Sequence, residues 1–316
     1  MYPEGTVMKR AASRPAVAAW MMLIGCFVAL LLLASMPPRA EASGEPVTTV
    51  SRYMSTLDSR TLYREGCAMG NKTGIVVLDF GLPSYAHGSW GTRTFGNFFA
   101  SIKAIKNAAK SYLQGYWYCT SKSAPYLRLA LGTSNYGNQV GSGQGQAWAK
   151  MVNDLNGWVR SKGWDVQEGV RGANDMEPSW NSPDATRRWV RAYGEAATGK
   201  SPYYNFGSAD GCPPYGDCAN GWTREDVWYV SWGAPRAYPA PEIYYNANAR
   251  QWYLMSLYGH TQHGHAIQYL STFTEHAADP STYTPRQARD RMEGLLDSDS
   301  RTSQRILFST DITWDD

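Results

Sequence analysis

Apolar positions along this chain switch between two rhythms. Residues 74–81, Gly-Ile-Val-Val-Leu-Asp-Phe-Gly, form an almost continuous apolar run, as a strand buried on both faces requires. From Phe98 to Leu113, apolar residues then recur at 98, 99, 102, 105, 109, 112 and 113, the spacing of one helix face. Residues 127–132 predict another buried strand, and 146–162 return to helical spacing through Trp148, Val152, Leu155 and Val159. Further strands are predicted over 166–177, 203–207, 227–232, 266–273 and 306–313, with helices from Pro183, over 247–257 and over 285–296. Ser182 and Pro183 read as an N-cap and first helical position, and Thr223 with Asp226 resembles a capping box. Seven strands stand out, with 116–119 a candidate eighth. Repeated strand–helix alternation predicts an α/β fold with a parallel sheet, and the count favours a (β/α)8-type TIM barrel. An open dinucleotide-binding sheet is disfavoured because no G-x-G-x-x-G follows the first strand.

The first forty residues follow neither rhythm. Lys9, Arg10 and Arg14 precede an apolar run over 16–34 with no polar face, Pro37 and Pro38 end it, and Ala40-Glu41-Ala42 supplies a small-x-small site. That is the layout of a secretory signal peptide over 1–42, and it predicts a secreted protein. Left uncleaved, residues 16–36 are long enough to anchor the chain in a membrane. An N-terminal segment, 43–73, and a barrel domain, 74–316, would follow. Removing 1–42 takes away Lys9, Arg10, Arg14, Arg39, Glu4 and Glu41, so the formal charge of +3 falls to about +1. So little charge disfavours nucleic acid as a partner. Cys67, Cys119, Cys212 and Cys218 remain, an even number that predicts two disulfides among three possible connectivities. The short 212–218 spacing reads as a self-contained loop, which leaves Cys67 for Cys119.

In a barrel of this class, function sits at the carboxyl ends of the strands. Asp79 closes the 74–81 strand, Asp175 and Glu177 close 166–177, and Asp210, Glu242, Glu275 and Asp311 follow or end later ones. The sharpest signal is Asn174-Asp175-Met176-Glu177-Pro178. Residues two apart on a strand point to the same side, with Cα atoms about 6.6 Å apart. Such paired carboxyls can divide into a protonated donor and an ionised partner, as glycosidic cleavage requires. The chain also holds 13 Trp and 21 Tyr, and aromatic faces suit sugar rings. Trp180, Tyr204 and Trp232, which follow predicted strands, are the candidate substrate contacts.

The 74–81 strand ending in Asp79, the central Asp175-x-Glu177 and the terminal Ser309-Thr310-Asp311-Ile312-Thr313-Trp314 resemble the layout of family-25 glycoside hydrolases, the muramidases. They are as similar to the glycoside-hydrolase-like domains of secreted bacterial proteins. The resemblance implies a glycan partner such as peptidoglycan, Glu177 as the catalytic acid, and Asp175, Asp79 and Asp311 as supporting carboxylates. Gly81-Leu82-Pro83-Ser84 departs from the polar motif expected after the Asp79 strand, and the 174–178 stretch lacks the family's longer run of alternating acids. A non-catalytic glycan-binding barrel of the cell surface is the competing expectation.

No cofactor or metal is expected. His260, His263 and His265 fall between a helix and the next strand, hence at the amino-terminal face. The Gly141–Gly145 loop lacks the Lys-Ser/Thr of a phosphate-binding loop, and no G-x-S-x-G elbow occurs.

Overall fold

The computed structural model describes residues 47–121, 126–199, 201–213 and 215–315. The expected signal segment lies outside them, and no described helix is long and apolar enough to cross a membrane. Eleven strands are numbered in chain order: β1 Val47–Tyr53, β2 Gly74–Asp79, β3 Leu82–Ala86, β4 Ser89–Arg93, β5 Phe99–Ser101, β6 Leu127–Gly132, β7 Glu168–Asn174, β8 Tyr203–Asn205, β9 Ala237–Pro239, β10 Ser271–Thr274 and β11 Phe308–Trp314. Eight of them form one sheet in the order β10-β11-β1-β2-β6-β7-β8-β9, and every pairing in it is parallel. The remaining edges meet where Glu242 bridges Phe273, with the Ile243 N–H donating to the Phe273 carbonyl at 2.9 Å. The sheet is therefore a closed (β/α)8-type barrel.

Helices α1 Ser59–Ala68, α2 Ile102–Cys119, α3 Ser142–Ser161, α4 Pro183–Ala196, α5 Arg224–Trp228, α6 Asn246–His263 and α7 Pro285–Leu296 connect the barrel strands. Local signals set their starts: Ser182 accepts from the Ala185 N–H with Pro183 in the first turn, and Thr223 and Thr284 make capping boxes with Asp226 and Gln287. The antiparallel hairpin β3-β4-β5 rises between β2 and α2.

The strand alternation sorts side chains into two cores. Ile75, Val77, Ala130, Ala173, Phe273 and Ile312 fill the lumen, while Val76, Leu78, Leu129 and Val170 face the helices together with Trp148 and Trp189. Helices α1 and α2 touch backbone to backbone: a Cβ on Gly66 would lie 2.0 Å from the Tyr112 carbonyl oxygen, and one on Gly115 2.0 Å from that of Tyr63. Cys67–Cys119 ties their carboxyl ends, and Cys212–Cys218 closes the loop after β8. Bridging positions 52 residues apart contributes about 4 kcal/mol on a loop-entropy basis. Two disulfides suit an oxidising compartment.

Three expectations change. Of the expected separate segment 43–73, the described residues 47–73 belong to the barrel, because β1 is the barrel's first strand. That strand escapes an apolar-pattern reading because its inward positions, Thr49 and Ser51, are hydroxyl residues bonded to the neighbouring strands, Ser51 to Thr310 of β11 at 2.7 Å. Residues 116–119 end a helix. The aromatic, β-branched run 227–232 is α5 continued by a π turn over Tyr229–Gly233, and the strand that follows is the three-residue β9. High β-propensity there loses to the Thr223 capping box and to burial against α4 and β8.

Candidate active site at the barrel mouth

Parallel register brings chemistry from separate strands into one layer. Trp314, Tyr53 and Asp79 are consecutive partners across β11, β1 and β2, and Ser134 bridges Asp175 just beyond β6 and β7. These positions share the inward parity, so their side chains surround the carboxyl-end opening. With Glu275 beyond β10 they line a cavity of about 460 Å³, in the size range of small-molecule sites. Its aromatic rim has two parts. Tyr53 packs against Trp314 at 4.9 Å and Phe95 at 5.0 Å, while Tyr136 meets Trp180 edge-on at 5.9 Å.

Three carboxylates converge beside the cavity. Asp175, Glu177 and Glu242 each bring an oxygen within 4.8 Å of the other two. Asp175 and Glu177 come from the exit of β7. Glu242 comes from the short segment that closes the barrel. Such an all-oxygen set could span a hard divalent cation, and it can equally share protons.

The surroundings separate these acids. Asp175 is buried, and its Oδ1 has no hydrogen-bond partner. Burial, then Glu242, Glu177, Asp79 and Glu275, push its carboxyl well above the usual range. Glu177 is also raised by burial, but the hydroxyls of Ser179, at 3.2 Å, and Ser208 donate to it and favour its ionised form. Burial and Glu177 raise Glu242, against a 2.7 Å hydrogen bond from Tyr244. Burial pushes Asp79 up to about 7, although its Oδ1 accepts from the Gly81 N–H at 3.0 Å. Glu275 is raised by burial, then by Asp279.

Backbone geometry holds the pair in place. Asn135 clamps the Glu177 peptide from both sides, accepting from its N–H at 3.1 Å and donating to its carbonyl at 3.0 Å. Gly207 lets β8 approach, since a Cβ there would lie 2.4 Å from the Met176 nitrogen and 2.7 Å from Asp175 Oδ1.

The sequence-derived candidates divide accordingly. Asp79, Asp175, Glu177 and Trp180 meet at the mouth, with Glu242 and Glu275. Asp311 does not join them. It points outward, with Oδ1 accepting from Thr274 at 2.7 Å and the His276 N–H at 2.8 Å, and Oδ2 from the Ala277 N–H at 3.1 Å. Tyr204 fills the lumen below the mouth, and Trp232 packs on Tyr238 at the amino-terminal side, because 227–232 is helical rather than a strand. His263 stacks on Trp228 and contacts Glu225 at 2.8 Å. Tyr53, Phe95, Tyr136, Trp314, Tyr244 and Asn135 were not anticipated. A tyrosine ending a strand, opposite Asp79, would have been the available signal for Tyr53.

No family model and no curated protein matches this chain. Among solved structures, it is similar to a GH18 chitinase from Pseudoalteromonas aurantia, at 11% identity over 85% of this chain and 94% of that one, with a TM-score of 0.40.

Proposed function

We propose that this protein works outside the cytoplasm, binding a glycan across the barrel mouth and hydrolysing a glycosidic bond with Asp175 and Glu177. The carrying observation is the convergence of these two carboxyls, in unlike surroundings, beside an aromatic-rimmed cavity. Asp175, enclosed and with no donor at Oδ1, keeps its proton and delivers it to the leaving oxygen. Glu177, stabilised as an anion by two hydroxyls, faces the positive charge that develops at the anomeric carbon. This reverses the roles expected from the sequence, where Glu177 was the acid. Nearest oxygens within 4.8 Å leave little room for a water between the two carboxyls, which favours a covalent route with net retention.

The test is turnover on peptidoglycan, chito-oligosaccharides and neutral polysaccharides by the wild type, Asp175→Asn and Glu177→Gln. Wild type should release reducing ends from at least one substrate. Both variants should fall about 10²–10⁴-fold while binding changes little. Wild type that binds a glycan yet cleaves none between about pH 4 and pH 8 would leave a glycan-binding barrel instead.

A further inference from the structure

The mechanism above uses two carboxyls, but the mouth holds more acid than that. Asp79 and Glu275 line the same cavity as Asp175, and Glu242 adjoins it, yet none of the residues lining the cavity is basic. The described ion pairs, including Arg187 with Asp226 and Lys106 with Asp154, lie elsewhere. Acidic side chains gathered without a cation cannot all ionise, and burial beside one another holds their carboxyls above the usual range. Asp175 makes the shortfall concrete: it is only 7% exposed, and its Oδ1 meets no donor.

We infer, building on the glycan reading, that the natural ligand carries a protonated amine, so that the substrate is a glycan of amino sugars with free rather than acetylated amines. Two kinds of group in the cavity suit such a sugar. Aromatic faces of Tyr53, Trp180 and Trp314 stack on apolar sugar faces and attract a cation. An ammonium favours the ionised form of Asp79 and Glu275, drawing their raised carboxyls back down, and its three donors need those acceptors. An acetamide would bring one N–H and a bulky neutral methyl. Uronates, sialates and free lactyl carboxylates would meet no cation in the cavity and would make its acids still harder to ionise, which penalises them at close range.

Calorimetric titration at about pH 6 tests this, with fully deacetylated and fully N-acetylated chitotetraose as probes. Wild type should bind the free-amine tetramer at least about tenfold more tightly, roughly one decade in Kd. Asp79→Asn and the half-exposed Glu275→Gln should each shrink that ratio severalfold, and Trp180→Ala should weaken both sugars alike. Equal or better binding of the acetylated sugar would overturn the inference while leaving the glycan reading intact. So would a preference unchanged in both acid variants. If neither sugar binds but Ca²⁺ or Mg²⁺ does, with Tb³⁺ luminescence sensitised by the rim aromatics, the cluster is a metal site and both readings fall.

Discussion

The two ends of the barrel lumen treat charge in opposite ways. At the amino-terminal floor, Arg128 lies over the rings of Tyr126 and Phe308, 5.4 and 5.1 Å from their centroids, and Arg171 donates to the Val170 carbonyl at 2.9 Å and bonds Tyr204. Both guanidiniums are packed against rings or backbone, although Arg128 Nη1 is buried without a hydrogen-bond partner. At the mouth, acids crowd together and Asp175 is left bare. The two sets do not cancel, because an apolar belt of Val77, Ala130, Ala173, Phe206 and Phe273 separates them. Arg171 and Asp175 are four residues apart on β7, about 13 Å along a strand. At that distance, attraction is worth only about 1 kcal/mol at an effective dielectric of 20, too little to offset burial of a carboxylate. The floor packs its cations against rings and backbone, and the mouth gathers acids that the proposed function assigns to a ligand.

The largest effects should separate the ends by kind. Asp175→Asn should lower turnover about 10²–10⁴-fold and leave the melting temperature unchanged or higher, since it removes an uncompensated acid. Phe273→Ala, in the belt, should instead cost about 3–5 kcal/mol of unfolding free energy, read by denaturant titration. Its ratio of free-amine to acetylated binding should not move. If Asp175→Asn unfolds the protein, the mouth is structural and the contrast collapses.

Next in size is the pH dependence of stability. Folding raises Asp79 from 3.8 to about 7, so its contribution is fully present below pH 3.8 and is lost as pH rises through about 7. Glu168, at the start of β7 with both oxygens unpartnered, is pushed up by burial from 4.5 to about 8 and behaves the same way over a higher window. Scanning calorimetry should show wild type losing stability between about pH 4 and pH 8. Asp79→Asn and Glu168→Gln should each flatten part of that loss and raise Tm by about 5 °C near pH 8. Only Asp79→Asn should touch ligand binding. A Glu168→Gln protein with altered ligand selectivity would break the division between wall and mouth.

A smaller effect is expected at the rim. Trp314→Ala removes a half-exposed ring that packs on Tyr53 and Phe95. It should weaken glycan binding about tenfold, in line with the 0.5–1.5 kcal/mol of an aromatic contact. Turnover at saturating substrate should stay within about threefold. Loss of kcat without loss of affinity would place Trp314 in the chemistry.

What the sequence disclosed follows the same division. Elements with apolar outer faces, such as β2, β6 and α3, were legible because helices cover them and burial shows as pattern. Strand β1 was not, since its lumen side is Thr49 and Ser51, and its two valines, Val47 at its start and the outward Val50, are exposed. Missing β1 hid Tyr53 and, with it, the aromatic half of the mouth. Asp175 and Glu177 were legible because period-two spacing survives the end of a strand. Their unlike surroundings were not, because these depend on Ser179, Ser208 and Glu242, brought in from outside that strand. Asp311 shows the limit most clearly: a strand-end acid in the expected place, with the wrong parity.

That residue supplies the smallest expected change in turnover. Asp311 has both oxygens committed to the turn over 274–277, and its side chain faces away from the cavity. In Asp311→Asn one oxygen is retained, so the Thr274 and His276 contacts can persist, but an amide NH₂ would oppose the Ala277 N–H. The lost acceptor should cost about 1–3 kcal/mol of stability. Turnover should fall less than about twofold, because the turn carries Glu275, which the mechanism uses for binding rather than proton transfer. Any kinetic effect should therefore appear in KM for the free-amine substrate and leave kcat alone. A hundredfold drop in kcat would return Asp311 to the catalytic set and show that the turn reorients it inward when substrate binds.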